Sequence, residues 1–238
     1  MTRQGHATAI SLIDRALEID PTYAVVAALG AWVYTLRIPQ GWFLDPEAET
    51  RRGIELGRIA IVHGQDDSDA LGHGGYAIAF LGHELHEGLG AVERAMDINP
   101  NSSTAFGHAG WIRAYMGRMA ESIHAFERAI RLSPRDPMLF RAQAGLAFSH
   151  LLQRQFEEAI TWGWKAIEGN PNFTPTHRAL AAALAHAGRI QEARHIIHRL
   201  VLLVPDLTVS RFAEQSLFKH SGRLDIVLSG LREAGLPE

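Results

Sequence analysis

Cysteine is missing from the 238 residues, which removes disulfide staples, thiolate zinc sites and cysteine nucleophiles together. An excess of basic charge is missing too: 23 Lys and Arg stand against 26 Asp and Glu, a formal net charge of -3. Such a chain has no overall positive field to draw nucleic acid; only a local basic patch would do so. No apolar run precedes a cleavage site at the N-terminus, so no secretory signal is expected. The longest apolar stretches, such as 196–204, are interrupted by His or Arg or are too short to cross a bilayer. The expectation is a soluble, cytoplasmic chain, whose location a parent protein sets if it is part of one. What the sequence does have is 47% hydrophobic residues against 21% charged, enough to bury a core and to argue against disorder. It also has 22 glycines, and these prove informative.

A proline recurs after short helical stretches: Pro21, Pro100, Pro134, Pro171 and Pro205, at spacings of 79, 34, 37 and 34. The first spacing splits into 44 and 35 if Gln65 takes the place of one proline. An alanine stands five residues before each of these marks at Ala16, Ala60, Ala95, Ala129 and Ala166, with Leu200 in the last case. Small residues open the helices that carry them: Gly88, Ser122, Ala159 and Ala193. Gly82, Gly117 and Gly188 fall between paired helices, where a positive φ ends a helix. Gly75 and Gly110 fall inside helices, at a cost of about 0.5–1 kcal/mol each against alanine, and close helix crossing is the expected compensation. A period near 34 residues is that of the tetratricopeptide repeat. The predicted fold is therefore all-α, a tetratricopeptide-repeat (TPR) solenoid in which antiparallel helix pairs build a right-handed superhelix.

The spacing predicts one solenoid domain over 1–238. A half repeat at 6–21 supplies a lone second helix. Full repeats follow at 22–66, 67–101, 102–135, 136–171 and 172–205, and a terminal helix pair at 206–234. Their helices are predicted at 22–37 and 46–62, 67–81 and 85–98, 102–116 and 119–132, 136–152 and 155–168, 173–187 and 189–203, then 206–219 and 222–234. The link 37–46 is about ten residues longer than its counterparts. It has Asp45 placed to cap a helix that begins at Pro46. Its Trp42 and Phe43 are expected to fold back onto apolar surface, or else to form a lip on the groove. The half repeat marks either a chain cut from a larger protein or a helix serving as the cap.

The stretches "ALEIDPTYA", "GWFLDPEAE", "ERAMDINPNSSTAFGHAGWIRAYMGRMAESIHAFERAIRLSPRDP", "EEAITWGWKAI" and "LREAGLPE" resemble the C-terminal TPR region of bacterial class III adenylate or guanylate cyclase-like proteins. Similar modules sit behind winged-helix regulatory domains. Within them "RLSPRDP" and "LREAGLPE" are the more specific matches, and the second suggests a natural C-terminus. In that family the cyclase activity belongs to an upstream domain with paired metal-binding aspartates, and nothing here corresponds to it. The resemblance implies a regulatory or interaction module with an upstream cyclase or winged-helix domain in the parent protein.

Chemistry is hard to find in the pattern. His83 with His86, and His195 with His198, are spaced for one helical face, but a zinc site needs three or four ligands, and no third has convincing spacing. Glu121, Glu157 and Glu158 suit the positive ends of helices. The sequence Gly72-His73-Gly74-Gly75 lacks the lysine and the strand of a phosphate loop. Arg51, Arg52, Arg128 and Arg131 are offset by neighbouring acids. No catalytic residue, metal or cofactor is expected, and no nucleic-acid or membrane partner.

First-helix residues line the inner groove of such a solenoid. The groove is predicted to carry Trp32, Tyr76, Phe80, Trp111, Tyr115, Arg141, Phe148, Arg178 and His186. Aromatics with arginines suit protein recognition, and the arginines suit a carboxylate. Tight curvature would instead make Trp32, Trp111 and Phe148 internal packing residues. The expected function is a non-enzymatic module that binds a peptide or partner domain. The alternatives are a self-association module forming a homodimer and a small-molecule sensor.

Overall fold

A computed structural model describes residues 2–238 as thirteen α-helices joined by turns and two short 3₁₀ segments. In chain order the helices are α1 Arg3–Ile19, α2 Ala24–Arg37, α3 Pro46–His63, α4 Ser68–Leu81, α5 Leu85–Ile98, α6 Ser103–Tyr115 and α7 Met119–Leu132. There follow α8 Leu139–Leu152, α9 Phe156–Gly169, α10 Thr174–His186, α11 Ile190–Leu203, α12 Val209–Gln215 and α13 Leu224–Glu233. From α1 to α11 each end lies within three residues of its predicted position. The chain divides into two compact units, one up to Ile112 and the other Arg113–Glu238.

The recurring proline has a geometric cause. At six junctions the N–H of Asp20, Gly64, Asn99, Ser133, Asn170 or Val204 donates to the carbonyl of Ala16, Ala60, Ala95, Ala129, Ala166 or Leu200, at 2.9–3.1 Å. The carbonyl of the same capping residue then accepts from the N–H three residues on, at 3.0–3.2 Å. That closes a β-turn whose second position is Pro21, Gln65, Pro100, Pro134, Pro171 or Pro205, where a φ near -65° is needed and no N–H is. Gln65 does stand in the proline's place. Asp20, Asn99 and Asn170 tighten their turns by accepting from the N–H two residues on.

The turns inside each pair are of another kind. A left-handed residue sits two positions before the second helix: His83 (φ 60°), Gly117 (φ 81°), Arg154 (φ 61°) and Gly188 (φ 76°). The N–H groups of Arg118, Gln155 and Arg189 reach back to the carbonyls of Arg113, His150 and Leu184 at 2.9 Å, the Schellman arrangement that ends a helix. Gly117 and Gly188 serve as the sequence predicts. Gly82 does not, since its φ is -87° and the next residue, His83, makes the turn.

Small residues let the helices of unit 1 cross closely. A Cβ on Gly75 of α4 would stand 2.7 Å from the Gly88 carbonyl of α5, and one on Gly88 would collide with the Gly75 carbonyl. In unit 2 the Phe126 ring of α7 lies directly over Gly145 of α8.

The long link has its own anchor. Gly41 turns left-handed (φ 66°), and Arg37 holds the residues beyond it. Its Nε donates to Glu49 at 2.6 Å and its Nη2 to the Trp42 carbonyl at 3.0 Å. The Glu49 carboxylate also accepts from the Leu44 N–H at 2.9 Å, and the Asp45 side chain caps α3 through the Ala48 N–H. Trp42 meets the edge of His6 on α1, and Phe43 lies under the Arg37 guanidinium. Both aromatics are half-buried.

Within each unit, first helices touch first helices (α2 with α4, α8 with α10), and each second helix touches its own first helix or the next one. The C-terminal stretch departs from this rule. Residues 206–234 were expected as one more stacked pair. Instead, α12 ends after two turns at Ser216, whose ψ of 125° is extended, and a 3₁₀ segment Leu217–Ser221 follows. Gly222 then turns left-handed (φ 67°). From there α13 touches α12 but packs chiefly across α10 and reaches α8. The cause is a close fit: a Cβ on Gly230 would stand 2.7 Å from the Ala182 Cα.

Candidate functional site

The first helices carry the residues that the sequence points to, and the two units use them differently. In unit 1 the rings form a continuous line. Trp32 of α2 lies 4.9 Å from His73 of α4, measured between ring centres. His73 Nδ1 is 3.0 Å from His108 Nε2 of α6. His108 stacks on Tyr76 at 4.4 Å, and Tyr76 stacks on Phe80 at 5.7 Å. His73, Tyr76 and His108 are buried, as is Trp111, while Trp32 and Phe80 are half-buried. Leu29, one turn from Trp32, is 41% exposed.

The hydrogen-bonded histidines are not among the residues that the sequence singles out. A signal for them exists: they lie 35 residues apart, one repeat spacing, so they occupy the same register of successive first helices. One ring must donate and the other accept, so at least one is neutral.

In unit 2 the corresponding face is covered by the C-terminal stretch. Phe218 packs against Tyr115 edge-on at 5.1 Å and stacks on Phe148 at 4.6 Å. The Arg178 guanidinium lies 5.5 Å from the centre of the Phe212 ring. Burial lowers the Arg178 pKa to about 10, so the side chain stays a cation at neutral pH. His186 stacks on Phe156, and its Nε2–H donates to the Ile226 carbonyl at 2.7 Å. Arg223 Nη1 donates to the Leu152 carbonyl at the end of α8, at 2.8 Å. Tyr115, Phe148 and Arg178 are buried; Arg141 and His186 are half-buried.

His177 is fully buried on α10, and its Nδ1–H donates to the Phe173 carbonyl at 3.2 Å. Its Nε2 has no hydrogen-bond partner, so a proton there would lack an acceptor. Burial, reinforced by Arg199 and Arg178 and opposed by the Phe173 bond, lowers its pKa to about 4. The ring is neutral at physiological pH.

The other residues weighed for chemistry are dispersed. His86, His195 and His198 are exposed. Among the described residues no group of three or more His, Asp or Glu stands together to hold a metal ion. Arg51 pairs with Glu47, Arg52 with Asp14 and Glu55, and Arg131 with Glu127. No described helix is long and apolar enough to cross a membrane.

No protein-family model and no curated protein sequence matches the chain. Solved structures of similar shape do exist. A chain of the APC/C hetero-tetramer Cut9–Hcn1 superposes with a TM-score of 0.70 at 14% identity, over 92% of this chain. The match spans only 40% of that longer chain. PilW, a type IV pilus biogenesis factor, gives 0.61 at 18% identity over 88% of this chain and 89% of its own. YrrB, described as a TPR protein with an unusual peptide-binding site, gives 0.50 at 20% identity over 76% and 91%. At such identities the likeness establishes the fold: an all-α, TPR-like repeat of antiparallel helix pairs.

Proposed function

We propose that the chain is a non-catalytic interaction module that takes a peptide or a partner domain on its first-helix faces. The observation that carries this is the part-open ring line of unit 1, where Trp32 and Phe80 are half-buried and Leu29 is 41% exposed. Partly exposed aromatic side chains are those on which protein recognition concentrates its energy. The peptide-binding site in YrrB's description lends support by fold alone. A phage-displayed peptide library selected on the full chain tests this. Enriched peptides are expected to lose at least tenfold in affinity on Trp32→Ala/Phe80→Ala and to keep it on Leu202→Ala. Equal binding to both variants removes the face from consideration.

A second reading, self-association, is favoured by α1. Ala9 holds the small-residue register of Gly53, Gly88, Ser122, Ala159 and Ala193; all five are buried, whereas Ala9 is half-buried. One turn on, Leu12 is 58% exposed, and Ile19 on the same face is 88% exposed. Sedimentation should show a dimer that Leu12→Glu dissociates; a wild type that is monomeric at all concentrations ends this reading. The cyclase-type resemblance supports a signalling parent with a cyclase or winged-helix domain upstream, acting in the cytoplasm. The full open reading frame tests that.

A further inference from the structure

The C-terminal stretch behaves as a ligand would. In the regular part of each unit a second helix packs mainly on its own first helix and the next one, whereas α13 touches α12 but packs chiefly on α10 and also reaches α8. The stretch reaches that face by a hairpin path. Phe212 of α12 lies against Arg178, and Phe218 enters between Tyr115 and Phe148. Arg223 then takes the Leu152 carbonyl, and α13 returns along α10 with Gly230 on Ala182. Four of the groove residues predicted in this unit, Tyr115, Phe148, Arg178 and His186, thus meet residues 206–238.

We propose that this face of unit 2 is a docking site for a helix-forming segment with a phenylalanine anchor, and that residues 206–238 are its resident, displaceable occupant. The proposal rests on the interaction-module reading above and deepens it. The chemistry of recognition is legible in the occupant. A phenylalanine fills the aromatic cleft of Tyr115 and Phe148. An arginine five residues on meets the carbonyl end of α8, where a helix dipole favours a cation. A glycine seven residues further allows the backbone onto α10. A partner segment carrying the same three features would compete for the same atoms.

The build of the occupant favours release. α12 has seven residues and the 3₁₀ segment five, lengths that are marginal without tertiary contacts. Extended Ser216 and left-handed Gly222 separate the pieces. Weakly nucleated terminal segments open below the global unfolding limit. The tether raises the local concentration of the occupant to about millimolar, which is how it excludes free competitors.

Two measurements on the full chain decide the matter. Hydrogen exchange on the wild type should show amides of 209–233 exchanging at least tenfold faster than those of α10. A fluorescein-labelled synthetic peptide of residues 208–236 should bind Phe218→Ala/Arg223→Ala at least tenfold more tightly than wild type. Arg223→Ala alone, which keeps the anchor, should fall between. The same peptide carrying Phe218→Ala should not bind. Exchange of 209–233 as slow as in α10 overturns the proposal. So does a double variant with unchanged protection in α8 to α11 that gains no peptide affinity. If the double variant loses its fold, Arg223→Ala carries the decision, and no gain there also overturns it. Neither measurement involves Trp32 or Phe80, so failure here and failure of the unit 1 face are separable.

Discussion

The first-helix faces of the two units are made from different side chains, and the difference tracks what lies on them. α2 of unit 1 reads AVVAALGAWVYTLR and keeps bulky Trp32 and Tyr34, with Leu29 exposed. α10 of unit 2 reads TPTHRALAAALAH, and every residue from Thr174 to Ala185 is buried. A helix touched by α8, α9, α11 and α13 at once has no open side for a large side chain, and alanine is what remains. An alanine run in a repeat of this kind therefore reports packing on all sides, whereas α2 keeps an open edge at Leu29 and half-buried Trp32.

That contrast can be pressed by substitution. The largest effect is expected in unit 1 at Glu49→Ala, which strands the buried Arg37 guanidinium. Loss of one partner of a buried pair costs about 3–5 kcal/mol, read as a lower urea midpoint. An unchanged midpoint would show that the link is held by its aromatics.

Next comes acid. Unfolded His177 takes a proton near pH 6.5, but in the fold it does so only near pH 4. The unfolded state binds more protons in that window, so stability falls as pH drops from about 6.5 to 4, by roughly 3 kcal/mol in all. His177→Leu should flatten that part of the wild-type profile. In unit 1 the pKa of His6 is lowered too, by burial first and then by Arg37. His6→Gln should remove a further part of the slope. Profiles that coincide with wild type would mean that neither ring is buried in solution.

The close crossings rank third. Gly88→Ala in unit 1 and Gly145→Ala in unit 2 should each cost about 1–3 kcal/mol by forced overpacking. Gly107→Ala meets nothing within 4 Å, and should be neutral or stabilise by up to about 1 kcal/mol. Equal melting temperatures for all three would deny the tight contacts. The smallest effect is a gain: Arg154→Gly in unit 2 and His83→Gly in unit 1 relieve a left-handed residue, worth at most about 1 kcal/mol.

The helices are legible in the sequence because each is punctuated locally. A proline or its substitute at a turn, an alanine that accepts the last helical bond and a carboxylate or amide that caps are all features of a few adjacent residues. The left-handed turn falls at His83 rather than at Gly82 because the backbone demands a conformation, and glycine is only its commonest occupant. For 206–234 the two helices are legible but their packing is not. Periodicity says that a segment is helical and amphipathic, but the choice among several first helices depends on shapes such as Gly230 against Ala182, which only the assembled unit presents. The same holds for the groove. The sequence places Tyr115, Phe148 and Arg178 on first helices, and burial by Phe218 and Phe212 comes from residues 34 to 103 positions away.

The Arg37–Glu49 pair has a practical corollary. It gathers both ends of the inserted link at one point, so the length of chain between them is uncoupled from the crossing of α2 on α3. Extending a closed loop costs little, about 0.6 kcal/mol for each doubling. A tag or protease site grafted between Phe43 and Leu44 would hang from a charge-sealed stem, giving a handle on unit 1 that leaves its repeats undisturbed.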